Sequence, residues 1–196
     1  MKAPSEWLEK WIGHITLGNA LELGAGDGET TVWLAQSGFK VVAVERDPEA
    51  CRLLREACMG LDVEIHPMDV RDHVLSEGKY NLIYASALLH FIKPTDLWPL
   101  ADRIVAALAS GGFLIAEAFT IDDPGYEALW NSGVAQIEPN TFVIPSSEEV
   151  IHYFAPGELR RTFSVLEVFD YEETRRIDAE DPVGYRSGAA LVARKK

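Results

Sequence analysis

A glycine-rich turn constrains this chain more than any other feature of its sequence. The stretch LELGAGDGET, residues 21–30, places three glycines directly after a short apolar run. Residues 19–26 have the pattern of a buried strand that enters a tight turn, and residues 30–36 have the pattern of a helix. A strand, a glycine turn and a helix in this order are typical of the first unit of an α/β sheet, where a ligand binds at the turn.

Strands and helices continue to alternate after this turn. Strands are predicted at residues 40–44, 63–69, 80–86 and 113–119, with helices at 47–60 and 96–110. Because units of about 30 residues of this kind give parallel strands covered by helices, the sequence predicts a doubly wound, mostly parallel α/β sheet. Two strand-like runs at residues 163–171 and 187–196, joined by a short charged link, add an antiparallel C-terminal hairpin and bring the sheet to seven strands.

Composition excludes several classes of function. The net charge is −13, with 31 acidic against 18 basic residues, which disfavours a surface that follows nucleic-acid phosphates. No apolar run approaches the ~20 residues of a membrane span, and the N-terminus lacks the uninterrupted apolar core of a signal peptide. Cys51 and Cys58 fit small core residues on a helix. We therefore expect a single cytoplasmic domain over residues 1–196, with no metal site.

The spacing of the glycines distinguishes between the known glycine-rich ligand-binding motifs. A phosphate-binding loop ends in Gly-Lys-Ser/Thr, and no lysine follows Gly28. The dinucleotide fingerprint Gly-x-Gly-x-x-Gly/Ala fits Gly24 and Gly26, but its third small residue falls on Glu29. The third glycine, Gly28, is one position too early. An NAD-dependent reductase is therefore disfavoured and stays an alternative.

Three acidic residues surround the predicted turn. Glu22 precedes the glycines, Glu45 ends the second strand and Asp69 follows the third. A carboxylate at the position of Glu45 accepts hydrogen bonds from ribose hydroxyls, whether the ligand is NAD or another nucleoside. Asp69 is placed to accept from an exocyclic adenine amine, and Glu22 to accept from an ammonium or to orient the amides of the loop. This set suits an adenosine with a cationic or zwitterionic arm, and suits a pyrophosphate badly.

These motifs resemble class I S-adenosylmethionine-dependent methyltransferases. The resemblance covers residues 19 to about 120 and rests on ELGAGDG, VVAVERDPEA, HPMDVRD and YNLIYASALLHFI, in this order. PSEWLEKW, SGFKVVAVERDP, LLHFI and the C-terminal part of the chain are similar to small bacterial tellurite-resistance methyltransferases. The resemblance implies S-adenosylmethionine as cofactor and S-adenosylhomocysteine as product. It implies cofactor-binding roles for Glu22, Gly24, Ala25, Gly26, Gly28, Glu45, Arg46, Asp69, Val70 and Ala85.

The residues that act on the methyl acceptor are less constrained. His90 follows the fourth strand and is the best-placed titratable group, and Glu117 ends the fifth strand at the same edge. Arg186 belongs to a group of C-terminal arginines that would hold an anionic acceptor over the cofactor sulfur. We therefore predict His90, Glu117 and Arg186 as catalytic residues. Asp122 and Asp123 are interpreted as loop or helix-cap residues.

Two flanking segments are predicted to close the site. Residues 1–18 form an amphipathic helix, capped by Ser5, that covers the cofactor, and residues 120–145 form a loop-rich insertion over the substrate side. Trp7, Trp11 and Trp130 lie in these segments. Such closure favours a small-molecule acceptor, and the aromatic residues of the insertion leave room for a homodimer. A non-catalytic module that binds S-adenosylmethionine stays an alternative to the methyltransferase.

Overall fold

A mixed sheet of seven strands forms the centre of the fold. The computed structural model describes residues 4–177 and 184–196. The strands are β1 (Asn19–Leu23), β2 (Lys40–Glu45), β3 (Val63–Pro67), β4 (Tyr80–Ser86), β5 (Leu108–Phe119), β6 (Thr141–Val143), β7 (Val150–His152), β8 (Glu167–Ile177) and β9 (Tyr185–Arg194). Their order in the sheet is β3-β2-β1-β4-β5-β9-β8, and β6 and β7 form a separate hairpin.

Strand direction follows the prediction. The strands β1 to β5 are parallel to one another, whereas β9 runs antiparallel to both β5 and β8. The order of the sheet reverses between β1 and β4, which lie side by side although two strands separate them in the chain. Ligands of such sheets bind in the crevice at the carboxyl ends of the strands where the order reverses. The sequence prediction of a doubly wound sheet with an antiparallel C-terminal hairpin is confirmed.

The helices cover both faces of this sheet. They are α1 (Glu6–Trp11), α2 (Glu29–Gln36), α3 (Pro48–Ala57), α4 (Pro94–Ala107), α5 (Pro124–Asn131) and α6 (Glu158–Thr162), with 3-10 turns at Ile12–His14 and Leu89–Phe91. The side chain of Ser5 accepts from the amide of Trp7 and caps α1, as predicted. Leu21 and Ile83 pack on one face of the sheet and Ala20 and Leu82 on the other, as expected for alternating side chains. No helix among the described residues is long and apolar enough to cross a membrane.

The segment predicted as a loop-rich insertion is more ordered than expected. Residues 120–145 contain α5 and β6, and β6 pairs with β7 beyond the predicted boundary. Asp123 caps α5, and Pro124 occupies its first turn, where the missing amide hydrogen costs nothing. Part of the segment predicted as loop-rich is therefore a helix. Phe142, Ile151 and Tyr153 give this segment a small apolar core of its own.

The C-terminal hairpin is displaced from its predicted limits. We expected a strand at residues 163–171, but β8 begins at Glu167 and the part that the structure describes continues to Ile177. Helix α6 ends at Thr162, and the buried side chains of Phe163 and Leu166 complete the turn that follows it. The apolar residues that suggested an earlier strand are therefore a helix end packed against the core. Residues 178–183, part of the predicted charged link, lie outside the described residues.

Candidate cofactor and acceptor sites

A cavity of about 380 Å³ lies at the carboxyl edge of the sheet, where its order reverses. We name it the cofactor cavity. Six of the residues predicted to bind the cofactor line it: Gly24, Gly26, Glu45, Arg46, Asp69 and Val70. The sequence analysis missed other residues of the lining, among them Ser86, Ala87 and Glu149.

The glycine turn shapes one wall of this cavity. Gly26 has a φ of 56°, and a Cβ built on it meets no atom within 4 Å. A side chain at this position therefore projects into open space next to the cavity, where a ligand would lie. Gly28 has a φ of 97°, and a Cβ there would lie 2.7 Å from Cδ1 of Leu54. Gly28 thus permits the close approach of α2 and α3, and Gly26 keeps the turn open.

Substitution of Gly26 tests the open wall. We expect Gly26→Val to weaken binding of S-adenosylhomocysteine on the order of 10- to 100-fold, about 1.4 to 2.7 kcal/mol, because the side chain occupies ligand space. The matched control is Gly60→Val, since Gly60 has a φ of 81°, no atom within 4 Å of its Cβ and no place in the cavity lining. Both variants carry the same kind of backbone strain. Equal loss of affinity in calorimetric titrations of the two variants would refute the role of Gly26 in the cavity.

The Glu45 carboxylate joins the end of β2 to the glycine turn. Its Oε2 accepts from the amide of Gly26 at 2.9 Å, and its Oε1 accepts from the amides of Arg46 and Asp47, both at 2.8 Å. Three backbone donors thus hold the carboxylate at the cavity wall. Glu45 lines the cavity, and its predicted hydrogen bonds to ribose hydroxyls stay a prediction.

Asp69 lies across the same cavity and is held by arginines. Its two carboxylate oxygens accept from Nε and an Nη of Arg71 at 2.9 and 2.7 Å, and a guanidinium nitrogen of Arg46 is 3.9 Å away. The hydrogen bond from Arg71 holds the pKa of Asp69 below its ordinary value. Arg46 also pairs with Glu149 at 2.6 Å, which brings the turn between β6 and β7 to the rim of the cavity.

Four of the predicted cofactor residues lie behind the cavity wall. Glu22 is buried and accepts a hydrogen bond from the hydroxyl of Thr31, which ties β1 to α2. Ala25 packs in the apolar cluster that contains Leu54, and Ala85 lies fully buried in β4. Gly28 lies immediately before α2 and contacts α3 rather than the cavity. Their predicted contacts with the cofactor stay predictions.

Burial of Glu22 predicts a pH dependence of stability. Desolvation raises its pKa to about 8, so the native state binds more protons than the unfolded state between pH 4.5 and about 8. The free energy of unfolding is therefore expected to fall as the pH rises through this window. Urea denaturation at several pH values measures this change in the parent protein and in Glu22→Gln. Because glutamine stays neutral, the free energy of unfolding of the variant should not show this fall with pH. Identical pH profiles for the two proteins would contradict the assignment.

A second cavity of about 160 Å³ adjoins the first. We name it the acceptor cavity. It lies at the carboxyl ends of β4 and β5 beside β9, and all three residues predicted as catalytic, His90, Glu117 and Arg186, line it. The two cavities share Ser86 and Ala87. Ala87 has a φ of 52°, which is unusual for a residue with a side chain, and such strain concentrates at functional sites.

His90 is a buried histidine without a protein partner. Only 1% of it is exposed, and its ring lies 4.4 Å from the ring of Phe91 and 4.2 Å from that of Phe119. Neither ring nitrogen forms a hydrogen bond within the described residues. Burial and, to a smaller extent, the charge of Arg186 lower the pKa of His90 to about 3, so the ring is neutral at pH 7. It offers one hydrogen-bond donor and one acceptor but is a weak base.

Glu117 connects the acceptor cavity to helix α1. Its Oε1 accepts from the hydroxyl of Ser5 at 3.0 Å and from that of Tyr84 at 3.3 Å. Within the described residues, no hydrogen bond reaches its Oε2. The carboxylate is therefore held through hydrogen bonds to one oxygen, and the other oxygen can accept a hydrogen bond from a ligand.

Arg186 is held by a buried carboxylate. Its Nε donates to Oδ2 of Asp123 at 2.9 Å, and its guanidinium lies 4.1 Å from the ring centre of Phe119. Asp123 also accepts from the amides of Ser187 and Gly125, both at 2.9 Å. The interpretation of Asp123 as a helix cap is confirmed, but its ion pair with Arg186 was missed.

The other arginines of the hairpin are also engaged. Arg176 pairs with Glu6 at 2.5 Å, and Arg175 lies over the ring of Tyr185. The arginines that were predicted to hold an anionic acceptor are thus each engaged with an acidic or an aromatic neighbour.

Comparison with known proteins finds a match for the part of the chain that forms most of the cofactor cavity. A family model described as a methyltransferase domain matches residues 20–112, which include the glycine turn, Glu45, Asp69 and Ala87. This match agrees with the predicted resemblance to class I S-adenosylmethionine-dependent methyltransferases. An uncharacterized methyltransferase of Synechocystis is 30% identical over 93 residues, or 47% of this chain and 42% of that protein. The matches span less than half of the length of the curated relatives.

Solved structures of methyltransferases share this fold over nearly the whole chain. TehB of Haemophilus influenzae, a tellurite-resistance protein, superposes with a TM-score of 0.77 at 19% identity, covering 100% of this chain and 64% of TehB. The 1,6-didemethyltoxoflavin N1-methyltransferase of Burkholderia thailandensis gives a TM-score of 0.69 at 19% identity, covering 97% and 75% of the two chains. The comparisons give no sign of an NAD-dependent reductase.

S-adenosylmethionine is the cofactor of this methyltransferase family, and the cofactor cavity suits it. Gly26 leaves open space at the turn, where a Cβ would otherwise project. Glu45 and Asp69 place two carboxylates at the cavity wall, as an adenosine with its ribose hydroxyls and adenine amine requires. The two carboxylates, as hydrogen-bond acceptors, and the open turn therefore fit the cofactor.

Proposed function

We propose that this chain transfers a methyl group from S-adenosylmethionine to a small-molecule acceptor. The observation that carries the proposal is the junction of the two cavities at Ser86 and Ala87. A ligand in the cofactor cavity and an acceptor beside His90 would meet at this junction. A cavity of about 160 Å³ compares with the 150 Å³ that accommodates a benzene molecule in an engineered protein core, which favours an acceptor of about one ring.

The residues of the chain would hold the two reactants and exclude water. Glu45 would bind the ribose and Asp69 with Val70 the adenine, while the glycine turn leaves room for the methionine end. When bound, S-adenosylmethionine supplies a methyl carbon that an acceptor lone pair attacks in line, and the electrons of the broken carbon–sulfur bond stay on sulfur. His90, Glu117 and Arg186 would position the acceptor, and such positioning is the main contribution of the protein.

Two contacts support the proposal that flanking segments close the site. Helix α1 reaches the acceptor side through the hydrogen bond from Ser5 to Glu117. The turn between β6 and β7 reaches the cofactor cavity through the ion pair of Glu149 with Arg46. These segments would exclude water from the reacting groups, which strengthens the electrostatic interactions within the site. A macromolecular acceptor would need a more open face.

A methyl-transfer assay tests the proposal directly. The protein is incubated with methyl-labelled S-adenosylmethionine and a panel of single-ring amines, alcohols, thiols and carboxylates. The expected result is acceptor-dependent formation of labelled product and S-adenosylhomocysteine. Binding of S-adenosylhomocysteine without product from any acceptor would favour a non-catalytic module and contradict the proposal.

A further inference from the structure

A third cavity adjoins the acceptor cavity and is lined mainly by acidic and polar groups. Its volume is about 450 Å³, and we name it the acidic vestibule. Its acidic residues are Glu6, Glu9, Glu29 and Glu117. It shares Ser86, Glu117 and Arg176 with the acceptor cavity, so Glu117 lies in the wall of both.

The charge of the vestibule is mostly uncompensated. Arg176 pairs with Glu6 at 2.5 Å, so these two charges balance. Glu9, Glu29 and Glu117 form no ion pair within residues 4–177 and 184–196. A concave surface lined by one sign of charge raises the local concentration of ligands of the opposite sign. The vestibule therefore favours the entry of a cation and opposes the entry of an anion.

The inner cavity adds an independent indication of a ligand. His90 is almost fully buried, and neither of its ring nitrogens has a partner in the described residues. Buried polar groups are normally hydrogen-bonded, so these nitrogens point to a ligand that supplies the missing partner. The Oε2 of Glu117 accepts no hydrogen bond within the described residues. The positive charge of Arg186 is matched by buried Asp123 at 2.9 Å.

We infer that the acceptor of the proposed methyl transfer is a small primary or secondary amine, which enters as its ammonium cation through the acidic vestibule and binds at Glu117. The inference rests on the proposed function. It assigns Glu117 as the group that receives the nitrogen, and His90 as a neutral hydrogen-bonding partner inside the cavity. It also replaces the anionic acceptor that the arginines of the hairpin suggested.

The chemistry of an amine acceptor balances with the groups present. An ammonium has no lone pair, so it first gives one proton to the Glu117 carboxylate, from which the proton passes to water in the vestibule. The free lone pair then forms the new nitrogen–carbon bond with the transferred methyl group. The product nitrogen keeps its remaining protons and leaves as a methylated ammonium. No oxidant or further reactant is required.

Three matched acceptors test the inference. Benzylamine, benzyl alcohol and benzoate each have one ring and differ mainly in charge at neutral pH. We expect methyl-labelled product from benzylamine, with a kcat/KM at least about tenfold above that of the other two. Equal or greater product from benzyl alcohol or benzoate would overturn the amine inference while leaving the proposed function intact. If no acceptor of the general panel gives product although the protein binds S-adenosylhomocysteine, the proposed function is refuted instead.

Charge-neutral variants of the vestibule give a second readout. Glu9 and Glu29 are exposed, so Glu9→Gln/Glu29→Gln is expected to fold normally. The control is Glu77→Gln/Asp102→Asn, which removes two exposed charges that line none of the three cavities. We expect the KM for benzylamine to rise about tenfold at low salt in the vestibule variant alone, with unchanged affinity for S-adenosylhomocysteine. Weaker S-adenosylhomocysteine binding would assign these carboxylates to the cofactor and overturn the inference, as would an unchanged KM.

Discussion

Glu45→Ala is expected to weaken binding of S-adenosylhomocysteine by about 1.5 to 3 kcal/mol, roughly 10- to 150-fold. The substitution removes a carboxylate placed to accept from the ribose hydroxyls. It also leaves the amides of Gly26, Arg46 and Asp47 without their acceptor, so the turn loses its anchor to β2. Calorimetric titration of the variant and the parent protein measures the change.

A matched control separates the loss of the ligand contact from a general effect of charge. Glu64→Ala removes an exposed carboxylate from the neighbouring strand β3, outside the cofactor cavity. Its affinity for S-adenosylhomocysteine is expected to equal that of the parent protein. An affinity of Glu45→Ala that also equals the parent value would refute the assignment of Glu45 to the ribose.

Asp123→Ala is expected to lower the free energy of unfolding by about 3 kcal/mol, because three hydrogen bonds of about 1 kcal/mol each are lost. The carboxylate is fully buried and joins the start of α5 to β9 through the amides of Gly125 and Ser187 and the guanidinium of Arg186. Removal also leaves the Arg186 charge without this partner, which adds to the cost. Urea denaturation measures the change.

The adjacent residue supplies the control for this substitution. Asp122 is exposed, and Asp122→Ala is expected to change stability by less than about 0.5 kcal/mol. The stability of Asp123→Asn should lie between the stabilities of Asp122→Ala and Asp123→Ala, since asparagine keeps an oxygen acceptor but loses the charge. Similar stabilities of Asp122→Ala and Asp123→Ala would show that the buried network contributes little.

Local patterns in the sequence were sufficient for the sheet and for six of the residues that line the cofactor cavity. The glycine turn, Glu45 and Asp69 each lie at a strand end, and carboxyl ends of parallel strands meet at one edge of a sheet. His90 and Glu117 were found by the same argument. The pattern does not report side-chain direction, so it does not show that Glu22 is buried while Glu45 lines the cavity.

Contacts between distant parts of the chain were not predictable in this way. Asp123 and Arg186 are 63 positions apart, and only the docking of α5 beside β9 brings them together. Glu9 and Glu29 have the pattern of exposed helix residues, and their shared place in the vestibule depends on how α1 and α2 pack. The helix that begins at Pro124 was not predicted, because a proline at a helix start and a proline in a loop have the same local pattern.

The central claim is that the cavity at the glycine turn binds the adenosine and amino-acid parts of S-adenosylmethionine. The most direct test is calorimetric titration of the purified protein with S-adenosylhomocysteine and, separately, with NADH. The account predicts binding of S-adenosylhomocysteine at micromolar concentration and no binding of NADH. Binding of NADH alone, or of neither ligand, would contradict it.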